Sequence, residues 1–450
     1  MRLGPAKDPK DGACAGRGNG VQWGPTYHKY GGFAVYTRKR TDPPSRAWLI
    51  PALIALAVVL AALGVFAALI LRQPSAQPPQ PSPSLAPALS ATPSLRPAPA
   101  PSPTPTPDQA ERLLAEMTLH EKVCQLFIVQ PADLTPGEPT AAGTAAQWAL
   151  EEWPVGGLLL DASNLKDLTQ THDMLSNFQR FSKIPLILTC DEEGGRVNRL
   201  MHTIGTTYIG PMLDFKDQGP DKAAENARTI ATDMRFCGFN MDLAPVADVW
   251  SNPDNTVIGD RAYSDDFQQA AQLVAAAVDG FHQGGIACTL KHFPGHGDTS
   301  ADSHFGSVYV YKTLDQLREG ELIPFRAGIE AGADAVMMGH LIIAEVDEQP
   351  ALFSHQIVTE LLREELGFDG VVITDSLKMQ AMTDHYGSGD IAVKAVQAGV
   401  DLLLSPQDLE EAAAALVQAV EEGAISQERL DESVLRILRL KTARGIIPAP

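Results

Sequence analysis

FQQAAQLVAAAVDGFHQGGIACTLKHF, residues 267–293, shows in miniature the alternation on which the chain is built. From Phe267 to Gln283 the apolar residues recur at helical spacing. From Gly285 to Phe293 they form a short continuous run, the pattern of a strand buried on both faces. Working outward, the same run appears at 123–130, 155–162, 184–191, 239–249, 333–341, 370–375 and 400–406, which makes eight. Helical pattern lies between most of them: Leu168 to Phe181, Ala223 to Cys237, Leu314 to Ala331, Gln356 to Leu366, Ile391 to Ala398 and Leu409 to Glu422. A closing helix has Ser426 as N-cap, Leu430, Val434, Ile437 and Leu438 on one face, and Gly445 as its stop.

Eight short strands with helical crossovers in the region 108–450 predict an α/β fold, a single (β/α)8 TIM barrel, for which ~250 residues is typical and insertions are common. A doubly wound sheet is the alternative, but no Gly-rich phosphate loop follows the first run. In such a barrel the chemistry sits at the C-terminal ends of the strands. Ionisable residues gather there: Asp191, Glu193 and Arg196 after the third run, Asp248 at the fourth, Lys291 and His292 at the fifth, His340 at the sixth and Asp375 at the seventh. Any one of them could be an ordinary solvated strand end; together they mark a rim.

The region before Asp108 has a different composition. Residues 1–46 are rich in glycine and scattered charge, without periodicity, and are read as a disordered basic tail. Residues 47–71, AWLIPALIALAVVLAALGVFAALIL, carry no charge and at ~1.5 Å per residue are long enough to cross a bilayer as one transmembrane helix. Arg38, Lys39, Arg40 and Arg46 precede it, so the N-terminus is expected in the cytoplasm and the barrel outside, a single-pass cell-membrane protein. Residues 72–107, almost wholly Pro, Ser, Ala, Thr and Gln, are a linker of extended character. The net charge is −20; with nine basic and three acidic residues before Ala47, and Arg72 and Arg96 in the linker, the remainder holds −28. A nucleic-acid partner is therefore not expected. Cys14, Cys124, Cys190, Cys237 and Cys288 are odd in number and have no CxxC spacing, so neither a disulfide framework nor a zinc ribbon is indicated.

The densest polar stretch is KHFPGHGDTSADSHFG, Lys291 to Gly306. Asp302 and His304 are two residues apart, so in an extended segment they project to one side, where the carboxylate can fix the imidazole tautomer and raise its pKa. That suits a proton donor near neutral pH. Asp375, in VVITDSLKM, supplies a carboxylate at the mouth of a strand. A carboxylate facing a proton donor is the minimum for attack on an acetal.

KHFPGHGDTSADSH, together with DEEGGRVNRL (191–200), MTLHEKVCQL (117–126), IGDRAY (258–263) and VVITDSLKM, resembles glycoside hydrolase family 3, in the branch of β-N-acetylglucosaminidases acting on peptidoglycan fragments. The similarity runs from about Asp108 to Gly445. It implies a retaining exo-enzyme that removes terminal β-linked GlcNAc from glycans or muropeptides, with no cofactor and no metal, and a monomeric state. It also implies Asp375 as nucleophile, His304 as general acid/base and Asp302 as its partner, with Asp191, Arg199, Arg261, Lys291 and His292 holding the sugar. Ser376 and Glu192 depart from the family pattern, as does FGSVYVY, which lacks a proline usual after the DSH motif. Three alternatives stand beside this reading. One is a β-glucosidase or a GlcNAc phosphorylase on the same fold. Another is a metal-dependent hydrolase using His292, His296, Asp298, His304, His340 and Asp375, although the first run lacks the HxH pair such enzymes favour. The third is a non-catalytic cell-wall glycan-binding protein.

Overall fold

The computed structural model describes residues 108–449 apart from Glu138 and 301–305. The basic tail, the apolar stretch 47–71, the linker, Asp302 and His304 lie outside the described residues. Ten strands follow in chain order: β1 (Phe127–Val129), β2 (Gly157–Leu159), β3 (Ile187–Cys190), β4 (Met241–Asp242), β5 (Ala287–Phe293), β6 (Val308–Val310), β7 (Ala335–Met338), β8 (Leu341–Ile343), β9 (Val371–Thr374) and β10 (Leu403–Leu404). Eight of them form one parallel sheet in the order β10-β1-β2-β3-β4-β5-β7-β9. A parallel bridge between Ile373 and Leu402 brings β9 back beside β10, so the sheet curls round into a barrel. Each of the eight apolar runs supplies one of these strands. The short parallel pair β6 and β8 is an addition that the apolar runs do not foretell.

The strands are buried on both faces, β5 along all seven residues, because their side chains alternately fill the barrel and meet the surrounding helices. The helices begin where the sequence supplies an oxygen to their first free N–H groups. Asp167 caps Leu168–Phe181, Asp266 caps Phe267–Gly284, Asp408 caps Leu409–Glu421 and Ser426 caps Gln427–Ala443, each accepting from the backbone N–H three residues on.

Three expectations are corrected. The front of the first run is a helix, Leu119–Gln125, whose Thr118 and Glu121 form a reciprocal capping box. The stretch from Leu314 to Ala331 is two helices, Leu314–Glu319 and Leu322–Glu330, separated at Gly320. The fourth run contributes only Met241 and Asp242, so Asp248 stands six residues beyond its strand. The closing helix stops as expected: it ends at Ala443 with Arg444 as its C-cap, and Gly445 follows in the left-handed region at φ 68°.

The end of the barrel opposite the strand C-termini is closed by polar contacts. Lys441 is fully buried and donates from Nζ to Gln125 Oε1 at 2.8 Å, while Gln125 Nε2 donates to the carbonyls of Pro154 and Val155. Burial pushes the Lys441 ammonium down to about 7. Cys124, Cys190, Cys237 and Cys288 are buried free thiols, as small apolar groups in a core tend to be. Among the described residues, no helix is long and apolar enough to cross a membrane.

Candidate active site

The C-terminal ends of the strands surround a cavity of about 480 Å³. Asp191, Arg199, Arg261, Lys291, His292 and Asp375 all line it. Of the eight residues singled out in the sequence, the structure therefore brings six together; Asp302 and His304 are outside the described residues.

Lys291, at the end of β5, is 2% exposed and lies between two carboxylates, 2.7 Å from Asp191 Oδ1 and 2.6 Å from Glu193 Oε1. Glu193 also receives a forked pair from Arg261, Nε to Oε2 and Nη2 to Oε1, both at 2.8 Å. Such bidentate bonds fix direction as well as distance. Burial alone would discharge Lys291, but Asp191 and Glu193 outweigh it and raise its pKa. The same logic holds Glu193 well below the usual carboxylate range: burial opposes ionisation, and Arg261 and Lys291 overcome it. Arg199 reaches Asp161 Oδ1 at 2.7 Å through Nε and Asp191 Oδ2 at 3.4 Å through Nη2. The result is a chain of alternating charges, Asp161, Arg199, Asp191, Lys291, Glu193 and Arg261, whose members hold one another in place around the cavity.

Asp375 follows β9, anchored by its N–H to the Met338 carbonyl at 3.0 Å. Its Oδ1 accepts from the Ser376 N–H at 2.7 Å. Burial would raise its pKa, yet the charges of His292 and His340, the Ser376 N–H and Lys291 together bring it below the usual aspartate range. It is thus an ionised carboxylate in the cavity wall. His340 fixes the same turn from the other side, through Nε2 to the Ser376 carbonyl at 2.8 Å. Ser376 thus enters the turn through its backbone, by its N–H to Asp375 and its carbonyl to His340.

His292 is oriented by Asp248, which accepts from Nδ1 at 2.7 Å and from the His292 N–H at 3.0 Å, and from the His296 N–H at 2.6 Å. A carboxylate on one imidazole nitrogen fixes which face and which nitrogen the ring presents to the cavity. The turn PGHG that follows needs its glycines. A Cβ on Gly297 would lie 1.7 Å from the Val249 carbonyl oxygen, and Gly295, at φ 129°, would put one 2.6 Å from Glu321 Cβ.

Glu193, Asp248, Asp161 and Glu192 support the site by holding its other side chains. Glu193 and Asp248 were visible as members of the rim, but their work is to position other side chains, for which no spacing rule exists. Glu192 turns away from the cavity. It accepts the N–H groups of Arg199, Leu200 and Met201 at 2.5, 2.9 and 3.3 Å, capping the short helix Leu200–Thr203 and setting the backbone of Arg199. Its departure from the family pattern therefore concerns the support of Arg199. Lys378 lines the mouth and is held by Asp133 at 2.6 Å and Gln130 at 2.9 Å, tying the turn after β9 to the one after β1.

Among the described residues, one trio has metal-ligand spacing, His282, Cys288 and Asp334, at the N-terminal ends of β5 and β7. Arg444 fills it, with Nε 2.6 Å from Asp334 Oδ1 and Nη2 2.6 Å from His282 Nε2, so a guanidinium already stands where a cation would sit. At the C-terminal rim of the barrel, Asp248, Thr299 and the Ser376 carbonyl engage nitrogens of His292, His296 and His340.

The glycosyl hydrolase family 3 N terminal domain matches residues 118–440. Beta-hexosaminidase A of Pseudoalteromonas piscicida is 33% identical over 323 residues, covering 65% of this chain and 54% of that protein. This chain thus spans about half the length of that relative. The beta-hexosaminidase of Tolumonas auensis is 37% identical over 255 residues, covering 56% and 75%. Among solved structures, a glycoside hydrolase family 3 beta-N-acetylglucosaminidase from Paenibacillus sp. str. FPU-7 superposes with a TM-score of 0.70 at 39% identity, covering 74% of this chain and 64% of that one.

Proposed function

Since this chain belongs to glycosyl hydrolase family 3, we propose that it is a retaining exo-β-N-acetylglucosaminidase that releases terminal β-linked GlcNAc, with peptidoglycan fragments as its substrate class. The observation that carries the reading is the convergence of Asp191, Arg199, Arg261, Lys291 and His292 on one cavity whose wall holds the ionised Asp375. The relatives named hexosaminidase and N-acetylglucosaminidase support the choice of sugar.

In this mechanism the Asp375 carboxylate attacks the anomeric carbon while His304, oriented by Asp302, gives its proton to the departing oxygen. Water then attacks the glycosyl ester with His304 as base. Two inversions leave the configuration unchanged. Asp191, aimed by Lys291 and Arg199, accepts sugar hydroxyls. Lys291 and His292 donate to them, and Arg261, clamped by Glu193, meets the N-acetyl side. A carboxylate in the cavity wall must stay ionised to act as a nucleophile, and the surrounding histidines and Lys291 supply that condition.

The apolar stretch 47–71 anchors the chain in the cytoplasmic membrane, with the basic tail inside and the barrel held outside on the Pro-rich linker. This rests on the uncharged run and on the four basic residues that precede it. The functional reading is tested by incubating the protein with aryl β-glycosides of GlcNAc and of glucose, with and without inorganic phosphate. Rapid hydrolysis of the N-acetylated sugar, indifferent to phosphate, is expected. Preference for glucose, or release of a sugar phosphate, would contradict it.

A further inference from the structure

The sequence SVYVY, residues 307–311, contributes nothing to the cavity wall, yet it carries two of the five large exposed aromatic side chains among the described residues. Val308 and Val310 face inward, 1% and 5% exposed, and register against Leu341 and Ile343 of β8. The alternation of a strand then turns Tyr309 and Tyr311 to solvent, 51% and 72% exposed. Their rings are nearly parallel, 16° apart, with centroids separated by 6.2 Å. Burying the valines is enough to hold β6 in place; the fold has no use for the tyrosines, and two adjacent exposed rings are an unusual expense of apolar surface.

Their position ties them to the catalytic rim by three routes. Tyr309 pairs in register with Ile342, two residues beyond His340, and so lies within roughly 12 Å of it along the backbone at ~3.3 Å per residue and ~4.8 Å between strands. Lys312, next to Tyr311, bonds to Asp298 Oδ2 at 3.0 Å and to Glu321, joining the end of β6 to the KHFPGHGD turn. Ser307 Oγ meets His385 Nε2 at 3.4 Å, joining its start to the segment after Asp375.

We propose that Tyr309 and Tyr311 form an aromatic landing outside the cavity for the pyranose rings of a β-linked glycan strand. The inference rests on the glycosidase reading above and specifies its substrate as polymeric or oligomeric glycan. A pyranose presents a flat face of C–H groups, which packs on an aromatic ring while its equatorial hydroxyls stay wet. Tyrosine matches both halves of that surface, with an apolar face and a polar tip. The two rings stack on each other on one strand face, so the pair offers its outer faces and hydroxyl edges to a sugar, and rigid rings lose little side-chain freedom on binding.

The test is sedimentation of the full chain, purified in mild detergent, with insoluble chitin, comparing the wild type with the double substitution Tyr309→Thr and Tyr311→Thr. Threonine keeps the strand preference of β6. Chitin binding should weaken by roughly tenfold or more on loss of two stacking faces, with turnover of a small aryl β-N-acetylglucosaminide unchanged. Equal chitin binding by both proteins would overturn the proposal. So would equal binding accompanied by loss of self-association in size-exclusion chromatography, which would make the patch a contact between copies. If the wild type turns over no aryl substrate, the catalytic reading fails, while tyrosine-dependent retention on chitin would still support the landing.

Discussion

Replacing Lys441 by methionine should stabilise this protein near neutral pH, and the size of the effect follows from its surroundings. The ammonium is wholly buried with one neutral partner, Gln125 Oε1, and burial alone takes it from 10.5 to about 7. Each tenfold change in proton affinity is ~1.4 kcal/mol, so three and a half decades correspond to about 5 kcal/mol. Between about pH 7 and 10.5 the unfolded chain holds this proton and the folded chain does not. Stability therefore rises with pH across that window, by ~1.4 kcal/mol per pH step, and the penalty is fully present below it. Methionine fills similar volume and removes the titration, but it leaves Gln125 Oε1 without its donor, which costs about 1–3 kcal/mol. The net expectation at pH 7 is a gain of about 2–4 kcal/mol. Urea unfolding followed by circular dichroism at pH 7.5 and 9.5 gives the check. The wild type should gain nearly 3 kcal/mol more than the variant over that interval. Parallel responses to pH, or a variant less stable at pH 7.5, would refute the reasoning.

Three further outcomes follow from the site. Glu193→Gln removes the carboxylate that clamps Arg261 and one of the two beside Lys291, which keeps Asp191; leaving the buried Arg261 without its charged partner costs several kcal/mol, so kcat/KM should fall by about 10² or more, and unchanged kinetics would remove Glu193 from the site's support. His304→Ala should lose about 10²–10⁴ on substrates with poor leaving groups while still transferring sugar from a dinitrophenyl glycoside, whereas Asp375→Ala should fail on both; equal losses on both substrates for the histidine variant would mean that the proton comes from elsewhere on the rim. External protease on intact cells should shed the barrel by cutting the linker between residues 72 and 107, and complete protection would reverse the topology.

The barrel was legible because a strand buried on both faces leaves a short continuous apolar run, and all eight runs survive in the structure. Boundaries were less legible. Val123 and Cys124 are as apolar as the strand they precede, and only the Thr118 and Glu121 capping box distinguishes their helix. The paired strands β6 and β8 were missed for another reason: β6 alternates buried valines with an exposed tyrosine and so forms no continuous apolar run, and β8 begins at Leu341, where the sixth run ends. At the site, residues whose type declares a chemical capacity at a strand end could be named in advance: Asp191, Lys291, His292, Asp375. Glu193 and Asp248 could be named on the same rim, but not the side chains they position. The contacts of Glu193 with Arg261 and of Asp248 with His292 span 68 and 44 positions of sequence and are set by the packing of separate strands and loops, while Glu192 reaches the Arg199 backbone within one loop, 7 positions on.

The central claim is that Asp375 attacks the sugar directly, and the configuration of the first product tests it. Proton NMR during hydrolysis of an aryl β-N-acetylglucosaminide should show the β-anomer of GlcNAc appearing first, with the α-anomer following only as the free sugar mutarotates. Initial appearance of the α-anomer would mean a single inverting displacement by water, and would contradict the assignment of Asp375 as nucleophile.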